Sequence, residues 1–87
     1  MDQKEEITRT LLRKLLYMGK WGAAHTSFDN LPKGFPKHLR GTVKEVAKEL
    51  MKDGLLLRKP TSYGVEVSLN VKMKKEIEEL LATADKN

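Results

Sequence analysis

Apolar side chains recur in the first fifth of this chain at Ile7, Leu11, Leu12, Leu15, Leu16 and Met18, with polar and charged residues between them. Those positions fall at i, i+4, i+5, i+8, i+9 and i+11, the stripe that one face of an α-helix presents, and they predict a helix over residues 2–18. Gly19 ends it. Gly19 and Gly22 on either side of Trp21 permit a tight bend into a short extended piece. Thr26 with Asp29 three positions on resembles a capping box and predicts a second, very short helix, which Pro32 stops at about Leu31. Residues 32–36, Pro-Lys-Gly-Phe-Pro, read as a turn. Pro36 suits the first position of a third helix, where its missing amide proton is not needed. In that helix Leu39, Val43, Val46, Ala47, Leu50 and Met51 share a face, and Gly54 supplies a left-handed stop.

The period then changes. Residues 55–59 and 65–69 predict two strands, the second alternating Val65, Val67 and Leu69 inward against Glu66 and Ser68 outward. Residues 60–64, Pro-Thr-Ser-Tyr-Gly, form the hairpin loop. Asn70 is a candidate N-cap for a last helix in which Met73, Ile77, Leu80, Leu81 and Ala84 share a face. No repeat or linker interrupts this order, so the chain reads as one domain over residues 1–87. At 87 residues, a domain buries about 60–65% of its unfolded surface and has little core to spare.

Composition removes several function classes. Without cysteine there is no disulfide framework, no thiolate zinc site and no thiol nucleophile. His25 and His38 are the only histidines and lie apart from clustered carboxylates, so no metal site is expected. No glycine-rich phosphate loop and no supported Ser/His/Asp constellation occurs, and neither a cofactor nor catalysis is expected. The first six residues are polar and acidic, and no apolar stretch approaches the roughly 20 residues of a membrane span. A soluble, cytoplasmic protein with no membrane partner is the expectation. Trp21, Phe28 and Phe35 read as packing residues.

Charge is what points to a partner. Between Lys33 and Lys59 stand eight basic residues, Lys33, Lys37, Arg40, Lys44, Lys48, Lys52, Arg58 and Lys59, against Glu45, Glu49 and Asp53. That excess of five equals the net charge of the entire chain, and the other residues balance at nine of each sign. Charge gathered on one helix and the start of one hairpin is the footprint of a surface that meets a polyanion. Arg40, Lys44, Lys48 and Lys52 stand at i, i+4, i+8 and i+12. Like charges at that spacing cost an isolated helix about 0.2–0.5 kcal/mol per pair, a cost that bound phosphates would cancel. The competing reading is a solvated face in which Glu45 pairs with Lys48 and Glu49 with Lys52. Tyr63 at the hairpin tip, beside Thr61 and Ser62, could stack on a base or sugar or fold back on the hairpin.

The order of helix, extended piece, short helix, turn, helix, hairpin and helix resembles the winged helix-turn-helix superfamily over nearly the whole chain. The resemblance implies an α+β fold with a three-helix core, a two-stranded β-hairpin wing and a C-terminal helix. The match is architectural, without a signature motif. The stretch Leu-Pro-Lys-Gly-Phe-Pro-Lys-His-Leu over residues 31–39 also resembles small archaeal winged-helix proteins without a settled function. Superfamily members commonly lay the third helix in the DNA major groove and touch the backbone with the hairpin. By that likeness Lys37, His38, Arg40, Gly41 and Lys44 at the start of the helix, with Lys33 before it and Lys48 within it, face nucleic acid. The wing offers Arg58, Lys59, Thr61, Ser62 and Tyr63. A second helix of about one turn, followed by a proline-rich turn, departs from the usual DNA-reading pattern. The implied function is non-catalytic nucleic-acid binding, duplex DNA before structured RNA, as in a transcription regulator. A protein-interaction module in a larger complex is the alternative, and a two-fold interface through the first and last helices stays open.

Overall fold

The computed structural model describes residues 3–85. Helix α1 spans Gln3–Tyr17 and buries Ile7, Leu11, Leu12 and Leu15 along one face. Its stop is a Schellman closure. Gly19, at φ +67°, donates its N–H to the Leu16 carbonyl, and the Lys20 N–H reaches the Leu15 carbonyl, both at 3.0 Å. Leu16 and Met18, expected in the same stripe, remain exposed. Leu16 lies one position off the 7-11-15 row, and Met18 lies past the last helical residue.

After the bend, strand β1 covers only Thr26–Ser27. The expected second helix is a single 3-10 turn, Phe28–Asn30, and its cap is Ser27 rather than Thr26. Ser27 Oγ accepts the Asp29 N–H at 3.2 Å, while Thr26 pairs with Val67 in the sheet. A second 3-10 turn, Lys37–Leu39, precedes helix α2, Arg40–Lys52. Pro36 therefore flanks the helix in an extended conformation, φ −55° and ψ 147°, and is not its first residue. Val43, Val46, Ala47 and Leu50 form the buried face of α2. Gly54, at φ +83°, allows the Leu55 N–H to close on the Leu50 carbonyl at 2.9 Å.

Strands β2, Leu56–Thr61, and β3, Gly64–Leu69, make an antiparallel hairpin. Its loop is Ser62 and Tyr63 alone, not residues 60–64. Pro60 stands within β2 opposite Val65, on a sheet edge, where a missing N–H is tolerated. The sheet order β1-β3-β2 makes β3 central, so three strands replace the expected two. Ser68 on β3 is buried, only 3% exposed, although alternation placed it outward. Residues 20–22, after α1, close on the end of β3, the Leu69 N–H donating to Lys20 O at 2.7 Å and the Gly22 N–H to Leu69 O at 3.1 Å.

Asn70 caps as expected, accepting the Lys72 N–H at 3.1 Å. The cap opens a 3-10 turn, Val71–Met73, that leads into α3, Lys74–Asp85. The Asn70 amide also donates to Gly54 O at 2.8 Å, tying the end of α2 to the start of α3. Ile77 and Leu81 are buried, but Leu80 is exposed; Asp2, expected to open the first helix, and the side chain of Ala84, expected on the apolar face of the last, lie outside the described residues. The chain is thus α+β, three α-helices packed with a three-stranded antiparallel sheet whose inner face contributes Leu56, Val67 and Leu69 to one core. Trp21, Phe28 and Phe35 pack half-buried against that core. Among the described residues no helix is long and apolar enough to cross a membrane.

Candidate nucleic-acid interface

An i, i+4 row on a straight α-helix advances by about 40° at each step, so Arg40 and Lys52 diverge by about 120°. The four basic residues of α2 accordingly meet different surroundings. The Arg40 Nε–H donates to Phe35 O at 3.4 Å. Lys44 places Nζ 3.5 Å from Asp29 Oδ1 and 5.9 Å from the centroid of the Phe28 ring. Lys48 and Lys52 are exposed. Glu49 turns away from Lys52 and pairs with Lys4 of α1 at 3.1 Å, which draws a carboxylate off the basic row.

Strand alternation divides the two basic residues of the hairpin. Arg58 lies opposite Val67, on the β2 face that also carries the buried Leu56, and Lys59 lies opposite Glu66 on the other face. Arg58 thereby reaches α2. With Lys48, Phe28, Met51 and Val65 it lines a groove of about 370 Å³ that contains no carboxylate. Lys59 instead sits with Nζ 3.5 Å from His25 Nε2, and the Glu66 carboxylate pairs with His25 Nδ1. Arg58 and Lys59, both expected to contact nucleic acid from the hairpin, lie on opposite faces of the sheet. At the tip Tyr63 is fully exposed, 100%, beside exposed Ser62. Thr61 is engaged in the turn: its Oγ1 accepts the Tyr63 N–H at 3.2 Å and donates to Gly64 O at 2.9 Å.

Before α2, Lys33, Lys37 and His38 are exposed, the last two on the 3-10 turn rather than on the helix proper. Gly41 is exposed, and a Cβ built there would meet nothing within 4 Å. Packing therefore does not require glycine, although glycine weakens a helix by up to about 1 kcal/mol relative to alanine. The result is one exposed position without a side chain, next to Arg40.

Lys14 escaped the sequence reading. Its Nζ donates to the carbonyls of Asn30, Leu31 and Lys33 at 3.4, 3.3 and 2.6 Å, pinning the turn that leads to Lys37. Burial first, and the charge of Lys33 second, hold its ammonium below the ordinary lysine value. The available signal was a lysine three residues after Leu11, at the margin of a buried stripe.

As a chemical surface, the side formed by α2 and β2 can hold anions on Lys44, Lys48 and Arg58 and apolar groups on the groove floor. Compared with known protein families, curated proteins and solved structures, the chain has no match.

Proposed function

We propose that this chain is a non-catalytic, cytoplasmic nucleic-acid-binding domain of winged helix-turn-helix type, with duplex DNA as its ligand. The observation that carries the reading is the groove in which Lys48 of α2 and Arg58 of β2, ten residues apart in sequence, come together with no carboxylate in the lining. Lys44 extends the basic surface along α2. In this reading these cations neutralise phosphates and release counterions. Lys37, His38 and Arg40 at the start of α2 meet base edges or the flanking backbone, and Ser62 and Tyr63 touch an adjacent strand. The order of helix, extended piece, helical turn, helix, hairpin and helix supports the same class.

Titration of labelled duplex DNA across salt concentrations tests it. Five contacts, from Lys37, Arg40, Lys44, Lys48 and Arg58, give a log-log slope of about −4.5. A slope near zero, or no binding at low salt, refutes the proposal.

Protein docking has its own support in the exposed Leu16, Tyr17 and Leu80, Tyr17 being 94% exposed. Arg13, Leu16, Tyr17 and Leu81 line a groove between α1 and α3. If that face joins two copies, sedimentation gives a dimer that Tyr17→Asp converts to monomer.

A further inference from the structure

Neutralising phosphates needs cations, and it gives no reason for an apolar floor between them. Phe28, Met51 and Val65 are each half-buried, and together they line the groove whose polar residues are Lys48 and Arg58. Phe28 is held there by its 3-10 turn under the Ser27 cap, with the Lys44 ammonium 5.9 Å from its ring centroid. The groove volume, about 370 Å³, falls in the range of small-ligand sites. A base or sugar provides the apolar surface that this floor can cover, and its own phosphate provides the charge that the rim can bind. In an intact duplex the bases are stacked away from such a floor. We propose that the groove between α2 and β2 takes an unpaired nucleotide, its base against Phe28, Met51 and Val65 and its phosphate between Lys48 and Arg58. The proposal rests on the nucleic-acid reading above and names the part of the ligand that this groove selects.

The test compares three labelled DNA probes by fluorescence anisotropy: a blunt duplex, the same duplex with a short thymidine tail, and a thymidine single strand. The tailed duplex should bind about ten-fold more tightly than the blunt one, the size of one stacked base. Phe28→Leu keeps apolar bulk but removes the ring, and should bring the ratio of tailed to blunt affinity close to one, whatever it does to the blunt-duplex affinity itself. Because Phe28 also packs on the core, Val65→Thr, nearly equal in shape but polar, serves as a second variant that should lower the same ratio of tailed to blunt affinity. In the unmodified protein, methyl resonances of Met51 and Val65 should shift on adding the tailed duplex and not the blunt one. Equal affinity for tailed and blunt probes, with those methyls unmoved, overturns the nucleotide proposal and leaves the duplex-DNA reading standing. An acidic peptide with apolar residues that moves the methyls when the tailed duplex does not also overturns it. No binding of any nucleic acid removes both.

Discussion

Arg58 and Lys59 are neighbours with the same charge, and the fold assigns them opposite expectations. Arg58 lines the groove with Lys48. Lys59 faces Glu66 across the strands and lies 3.5 Å from His25 Nε2, on the other side of the sheet. In the counterion picture each phosphate contact adds about 0.9 to the log-log salt slope. At ~0.1 M salt the same contact multiplies affinity by about eight, or about 1.2 kcal/mol. Arg58→Gln should therefore weaken duplex binding about eight-fold and flatten the slope from about −4.5 to about −3.6. Lys59→Gln should change affinity less than two-fold. Its loss of the exposed contact with His25 Nε2 should lower stability by no more than about 0.5 kcal/mol. Anisotropy titrations at several salt concentrations, with melting curves for each variant, measure both quantities. Equal weakening by the two substitutions, or a larger effect at Lys59, would refute the assignment of the α2 side of the hairpin as the binding side.

Gly41→Ala should stabilise the domain by about 0.5–1 kcal/mol in denaturant unfolding, because a Cβ there meets nothing and alanine is the better helix former. If the bare backbone lies against a ligand, the same substitution lowers DNA affinity; unchanged affinity would show that α2 does not approach closely there. Tyr63→Ala should leave the melting temperature unchanged, since the side chain is fully exposed, yet weaken nucleic-acid binding by about 1 kcal/mol; lost stability at constant affinity would contradict this. The lowered pKa of Lys14 means that the unfolded chain holds this proton more tightly than the folded one. Its contribution to stability is accordingly constant below the folded value and rises with pH up to the ordinary value of 10.5. Urea unfolding of the wild type and of Lys14→Met across this alkaline window should differ by that rise, and parallel curves would exclude it.

The elements were legible because their causes are local. The 7-11-15 stripe of α1, the face of Val43, Val46, Ala47 and Leu50, the stops at Gly19 and Gly54 and the Asn70 cap each depend on residues within about one or two helical turns. The boundary shifts have local causes too: 3-10 turns at Lys37–Leu39 and Val71–Met73 tighten the approaches to α2 and α3, and Thr61 shortens the hairpin loop by holding Tyr63 and Gly64. The basic character of residues 33–59 was equally plain.

The chain's own order thus determined an α+β domain with its excess charge on one helix and hairpin, since periodicity, capping and left-handed glycines act between near neighbours. Tertiary structure alone decided which charges meet. Thr26–Ser27 became a strand because β3 had an open edge to pair with, and Lys14 found its carbonyls sixteen to nineteen residues away. Glu49 left the basic row for Lys4, forty-five residues distant. Arg58 joined Lys48 while Lys59 was turned to Glu66 because strand register and the packing of α2 on the sheet fix which face is which, and those depend on surfaces brought together only when the core closes.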